Sequence, residues 1–282
     1  MNLLSVENLS IEYRSRRGTV RAVRNISVEL EAGKTLGVVG ESGCGKSTLA
    51  MGVLGLLPPT AAVADGAVRL RGRDLVRLDA EKLRALRWRH MAYVPQSAMN
   101  SLNPVARLRD QFHEIWQAHG GTRHGVREKA EALFVRVGLD PRRLDSYPHE
   151  LSGGMRKRTA LAQVLALDPD IILMDEPFSA LDVQTRQLME NEVLALWAAK
   201  KKAVLFITHD LDEAIAMSDR VVVFSAGPAS RPIGEFEIDL PRPRDVAEVR
   251  TQPRFVELHR QIWAVLRDEV LKGYAQQLKK AA

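Results

Sequence analysis

The densest chemistry in the chain lies in nine consecutive residues, Gly40, Glu41, Ser42, Gly43, Cys44, Gly45, Lys46, Ser47 and Thr48, which fit the spacing G-x-x-x-x-G-K-[ST]. Glycines so spaced let the backbone curl until successive N–H groups point at phosphate oxygens, and a helix opening at the end of the loop adds its positive N-terminus. In such a loop Lys46 reaches the β- and γ-phosphates of a nucleoside triphosphate and the Ser47 hydroxyl ligates magnesium. A second concentration of charge, Asp175 and Glu176, closes the apolar run Ile171–Met174. Carboxylates after a buried strand stand where ligands of open α/β sheets bind. Asp175 is placed to hold magnesium, largely through water, and Glu176 to polarise the water that attacks a γ-phosphate. Cys44 is the single cysteine; in this loop its thiol is expected to be open to alkylation, with bound ATP protecting it.

These groups need a strand before each loop and a helix after it. The run Thr35–Val39 reads as a short buried strand, and a helical pattern follows from Lys46 to about Leu56, ending before Pro58 and Pro59. Residues 4–13 and 20–30 alternate in the manner of strands and predict an antiparallel edge. Met91–Val94 reads as a further strand, and from Leu108 to Val137 the composition is helical, an insertion. A helix over Met155–Leu167, a strand over Ile171–Met174, a helix over Thr185–Ala199 and strands at Ala203–Ile207 and Val221–Phe224 complete an alternation that predicts an α/β fold with a mainly parallel sheet covered on both faces. Gly227 to Pro243 is rich in Gly and Pro and reads as a linker or loose hairpin. Phe255, Leu258, Ile262, Val265, Leu266 and Val270 then recur at helical spacing. The expected organisation is a nucleotide-binding unit over 1–235, with a helical subdomain at about 97–160, and a linker with an amphipathic helix over 236–282.

With 282 residues, 45% hydrophobic and 27% charged, the chain can bury a full core. One cysteine excludes an internal disulfide and any cysteine-built metal centre, so metal chemistry must use oxygen ligands. The N-terminus lacks the apolar core of an export signal and no run approaches the ~20 apolar residues of a spanning helix, so the chain is expected to be neither exported nor inserted. The net charge of +6 comes from arginines scattered through the sequence, which read as solvated surface.

Leu151–Met155, LSGGM, resembles the signature motif of the ABC ATPases, a branch of the P-loop NTPases. The resemblance extends over about residues 3 to 225 in the family's order. Tyr13 matches the aromatic that stacks on adenine, Gln96 the Q-loop glutamine, Ser179–Asp182 (SALD) the D-loop, and His209 in ITHD the switch histidine. It implies that Glu176, His209, Lys46 and Gln96 are catalytic; that Tyr13, Gly40 to Thr48, Gln96, Ser152, Gly153, Gly154, Asp182 and His209 contact the nucleotide; and that Ser47, Gln96 and Asp175 serve the metal. The implied cofactors are ATP and Mg²⁺. Two such subunits, identical or siblings, close head to tail so that Ser152, Gly153 and Gly154 of one complete the phosphate site of the other.

The implied partners are two integral-membrane permease subunits at the cytoplasmic face of the inner membrane and, indirectly, an extracytoplasmic solute-binding protein, with no nucleic acid. GESGCGKST, the stretch SAMNSLNP after Gln96 and YPHELSGGMRKR are similar to the oligopeptide, dipeptide and nickel importer group. DEPFSALD, IDLPRPRD and the helix from Phe255 are similar to the nitrate, sulfonate and taurine importer group. Import of peptides or nickel is the favoured expectation. The alternatives are a nitrate, sulfonate or taurine importer, or a non-transport ABC ATPase acting on nucleic acid.

Overall fold

The computed structural model describes residues 2–15, 18–96, 102–121, 124–179 and 181–281, with 200 and 273–281 described by backbone alone. Five stretches of the chain are buried on both sides of the backbone, and this decides the architecture. Strands β3 (Thr35–Val39), β6 (Met91–Val94), β7 (Ile171–Asp175), β8 (Ala203–Thr208) and β9 (Arg220–Phe224) lie parallel in the order β9-β3-β8-β7-β6. Successive residues feed two cores. Leu36 and Val38 of β3, Ile171 and Leu173 of β7, and Leu205 and Ile207 of β8 enter one; Val39, Ile172, Met174, Val204 and Phe206 enter the other. A parallel strand covered on both faces needs an apolar residue at every position, which is why these runs do not alternate.

The first core lies under β1 (Asn2–Ser15) and β2 (Gly18–Glu31) and includes Leu49, Ala50, Val53 and Leu54 of α1 (Lys46–Leu54). The antiparallel strands are a sheet of their own rather than the edge of the parallel one. Its order is β2-β1-β4-β5, with β4 (Ala61–Leu70) and β5 (Arg73–Asp74) completing it. β1 and β2 pair from Asn2↔Glu31 to Ser15↔Gly18 with several bulges, and the other side of β1 is taken by β4, from Leu4↔Leu70 to Tyr13↔Ala61. The antiparallel edge of the main sheet is instead β10 (Pro232–Glu237), paired to β9. α1 stops at Leu54 because Gly55 turns left-handed, φ 61°, and its N–H returns to Gly52.

The second core holds the helices that follow β6, while Leu83 and Leu86 of α2 (Ala80–Leu86) pack on the first. Between α2 with β6 and the next strand come α3 (Leu108–Ala118), α4 (Val126–Arg136), two 3₁₀ turns and α5 (Gly153–Val164), gathered around Phe112, Phe134 and Leu144. α6 (Val183–Lys200) and α7 (Leu211–Met217) cover the same face. After α8 (Val246–Val249), Phe255, Leu258, Ile262 and Leu266 of α9 (Pro253–Ala281) join this core.

The Gly- and Pro-rich segment before α8 forms the second arm of a hairpin with β9, as one of the two readings expected, but it is not loose. β10 runs across position 235, so the expected division between 235 and 236 falls inside a strand. Beyond it Arg244, 8% exposed, donates to the carbonyls of Ile215, Ala216 and Ser218 at the end of α7 and of Ile238 and Leu240 in its own segment. The last carbonyls of a helix have no intrahelical donors, and here the guanidinium fork supplies them.

Candidate functional site

Strand order brings the chemistry together. The carboxyl ends of the neighbouring strands β6, β7, β8 and β3 are followed by Gln96, by Asp175 and Glu176, by His209, and by the loop Gly40–Thr48, so residues up to 169 positions apart share one sheet edge.

The loop holds its curl through its own bonds. The Lys46 ammonium, 4% exposed, donates to the carbonyls of Gly40 at 2.7 Å and Glu41 at 2.9 Å, and the Cys44 N–H returns to Glu41 at 3.2 Å. Gly45 enters α1 at φ 100°, and a side chain on it would press on Val23 Cγ1; only glycine serves here. Ser42 and Gly43 are exposed and, with Glu41, Gly45, Lys46, Ser47 and Thr48, wall a cavity of ≈ 630 Å³. Tyr13 faces it from β1 with its hydroxyl 3.3 Å from Thr48 Oγ1. Cys44 differs from expectation. Its side chain is 1% exposed and points into the first core, and burial pushes the thiol pKa up, both of which work against the expected alkylation.

Asp175 and Glu176 sit in different surroundings. The Asp175 carboxyl, 2% exposed, receives a hydrogen bond from Tyr93, whose hydroxyl lies 3.0 Å from Oδ2, while Oδ1 has no hydrogen-bond partner. Burial raises its pKa, and the nearby Ser47 and Tyr93 hydroxyls offset part of that rise. Burial likewise raises the Tyr93 phenol, which therefore stays protonated as a donor. Glu176 takes a left-handed φ of 47°, unusual for a residue with a Cβ and the kind of strain that persists where the surroundings over-determine it. Its N–H donates to Ile207 of β8 at 2.8 Å and its carbonyl accepts from Ser179 Oγ at 3.0 Å. One carboxylate oxygen then lies 2.8 Å from Gln96 Nε2 and 3.1 Å from His209 Nδ1.

Behind His209 the backbone is fixed by a closed set of bonds. Thr208 Oγ1 donates to Glu213 at 2.7 Å and accepts from the Asp210 N–H at 3.0 Å, and Asp210 caps α7 by accepting from the Glu213 N–H at 3.1 Å. Tyr93, Thr208 and Glu213 are not singled out by the sequence. The signals for them are a hydroxyl inside the apolar run Met91–Val94 and the Asp210–Glu213 spacing of a helix cap.

The signature residues are elsewhere. Ser152 caps α5, accepting from the Met155 N–H at 3.3 Å; it and Gly153 are exposed, and none of Ser152 to Gly154 lines the cavity of the chain's own phosphate loop. Asp182 caps α6, accepting from the Thr185 N–H at 3.0 Å, and that bond lowers its pKa. Gln96 is exposed, with its amide nitrogen on Glu176. Ala180 of the D-loop and residues 97–101 of the SAMNSLNP stretch lie outside the described residues. Among the described residues no group of three or more His, Cys, Asp or Glu side chains could hold a metal, and no helix is long and apolar enough to cross a membrane.

The ABC transporter family matches residues 23–179. The chain is 40% identical over 272 residues to an uncharacterized ABC transporter ATP-binding protein of Methanocaldococcus jannaschii, covering 96% of this chain and 93% of that one. This chain belongs to the ABC transporter ATP-binding family. It is an ABC-type ATPase. A dipeptide transport ATP-binding protein of Bacillus subtilis is 39% identical over 233 residues, covering 80% of this chain and 68% of the relative. The fold matches that of a dimeric bacterial ABC transporter cassette with a TM-score of 0.74 at 24% identity, over 84% of this chain and all of the other.

Proposed function

We propose that the chain is the ATP-hydrolysing subunit of an importer of peptides, with nickel the other cargo of the same group, working at the cytoplasmic face of the membrane on two permease subunits encoded elsewhere. The observation that carries the hydrolytic part is the placement of Glu176, whose carboxylate is held between Gln96 and His209 beside the phosphate loop. The cargo rests on the dipeptide transport relative and on the likeness of the signature region.

Lys46, now engaged by loop carbonyls, turns to the β- and γ-phosphate oxygens when ATP binds, and Tyr13 stacks on the base. Magnesium suits the donors present: the Asp175 Oδ1 atom is buried without a partner, and the Ser47 hydroxyl is near enough to the same carboxylate to lower its pKa, a set of hard oxygens. Ser47 and Asp175 would hold it, with Gln96 reaching it, and it would supply neutralisation of phosphate charge there. Glu176 accepts the proton of the attacking water, and His209 orients that carboxylate and contacts the γ-phosphate. Asp182 faces the nucleotide across the subunit junction. Ser152, Gly153 and Gly154 of a second subunit, the same chain or a sibling, close over the γ-phosphate, and its loss releases them.

Replacing Glu176 by Gln keeps the shape and removes the base. The expected outcome is turnover lowered about a hundredfold or more, with an ATP-dependent dimer that persists in light scattering. Turnover at the wild-type rate would remove Glu176 from the mechanism.

A further inference from the structure

Four of the five parallel strands deliver a group to the site at their carboxyl ends. The fifth, β9, borders β3 on the side away from β8, and the loop joining it to β10, residues 225–231, has no part in the mechanism above. Yet Ala226, Gly227 and Pro228 wall the same cavity as Tyr13, Val20, Ala22 and the phosphate loop. The approach is close: a Cβ on Gly227 would stand 3.0 Å from the Gly43 carbonyl oxygen and 3.2 Å from Cys44 Cα.

The loop is held from three sides. The Ser230 hydroxyl donates to the Cys44 carbonyl. The backbones of Ala229 and Ser230 donate to Arg21 and Ala22 of β2, and Arg24 donates back to Ser230 at 2.9 Å. The third hold comes from the far end of the chain. Glu269 of α9, 9% exposed, accepts from the Ala226 N–H at 2.8 Å through one carboxylate oxygen and from Lys272 at 2.5 Å through the other. Burial works to raise its pKa, but the bonds from Lys272 and the Ala226 N–H together outweigh it and hold the group below the usual glutamate range, so at neutral pH the acceptor is a carboxylate.

We propose that the β9–β10 loop is a further wall of the nucleotide site, facing the nucleoside end of ATP with Tyr13, and that α9 sets the affinity for nucleotide by holding that wall through Glu269. The assignment rests on the reading of this cavity as the ATP site. Tyr13 stands on one strand of the small sheet and the loop is bonded to the next, so together they flank the mouth of the cavity from β1, β2 and β9. A base entering it meets the half-buried Tyr13 ring and a wall of backbone without side chains beyond Cβ at Ala226 and Gly227, a surface suited to stacking and backbone hydrogen bonds.

The test is equilibrium binding of ATP and of ADP, read by a fluorescent nucleotide analogue displaced by each, on the full chain. Glu269→Ala is expected to raise both dissociation constants about tenfold and by the same factor, since the nucleoside is common to the two. Glu269→Gln keeps an oxygen for the Ala226 N–H and is expected to restore most of the affinity. Gly227→Val, which drives atoms into the Gly43 carbonyl, weakens both nucleotides as well. Thermal melting of each variant records whether the fold is retained, and Gly227→Val carries the test if Glu269→Ala does not fold. Wild-type affinity in a folded Glu269→Ala or in Gly227→Val, or loss from Glu269→Gln equal to that from Glu269→Ala, would overturn the proposal, as would a shift confined to ATP, which would place the effect at the γ-phosphate. Lys46→Ala separates the two readings: if it binds ATP as the wild type does, or if the wild type binds none, the cavity is not the nucleotide site and the proposal falls with it.

Discussion

Glu190 on α6 is fully buried, and neither of its carboxylate oxygens has a hydrogen-bond partner; Arg250 approaches only to 3.6 Å. Burial, and then the nearby charge of Glu213, push its pKa from 4.5 up to about 7. The folded chain therefore keeps the Glu190 proton at a pH where the unfolded chain has lost it. Between about 4.5 and about 7 the folded state binds more protons, and stability falls as pH rises through that window. Glu190→Gln carries no such dependence. Relative to their difference at pH 5, the variant is expected to gain about 2.5 kcal/mol on the wild type at pH 8, measured by urea denaturation of both proteins at the two values. A gap that does not change with pH would mean that Glu190 stays ionised in the fold. Glu190 also marks the limit of sequence reading at this scale. Lys46, Asp175, Glu176 and His209 were legible because loop chemistry fixes their spacing to a strand end. A glutamate in the middle of a helix looks like surface until the segment bearing Arg250 is known to lie over it.

At the level of elements, the same contrast separates β3, β7 and β8 from β4, α7 and β10. The first three are continuous apolar runs, which only a doubly covered strand requires. β4 reads Ala-Ala-Val-Ala-Asp-Gly-Ala, with weak strand preference of its own, and exists because β1 offers it a ladder on either side of a bulge. α7 spans seven residues, too short to announce itself by periodicity, and is fixed at its start by the local Asp210 cap beside His209 and at its last carbonyls by a distant group, the Arg244 fork. That fork carries a prediction. Arg244→Lys retains charge and loses the planar donors that serve five carbonyls at once, so it is expected to cost about 3 kcal/mol in a thermal or urea melt. Because the clamped helix begins at Asp210, the variant should also lower turnover at temperatures where it remains folded. A melt matching the wild type would show that a point charge is enough there.

For the whole molecule, the decisive relation is between two surfaces of one chain that do not meet. The phosphate loop opens on the cavity beside Tyr13, while the exposed N-terminus of α5, with Ser152 and Gly153, stands apart from it. α5 is not free to swing across, since Lys157 is buried with its ammonium on the Pro177 carbonyl at 2.8 Å, just past Glu176. On the mechanism proposed above, a γ-phosphate bound in the loop meets the signature of another subunit. If that subunit is a second copy, the two sites of the pair are related head to tail, and each draws half its groups from each chain. Lys46→Ala homodimers then lack the lysine in both sites, and Gly154→Asp homodimers lack a usable signature in both. In a mixed dimer both defects fall in one site and the other is intact. Mixing the two inactive proteins in equal amounts, with subunits exchanging freely, leaves about one quarter of all sites whole, so hydrolysis should reappear in the mixture and in neither parent. Continued inactivity of a mixture shown to form mixed dimers would assign the opposing signature to a sibling subunit rather than to this chain.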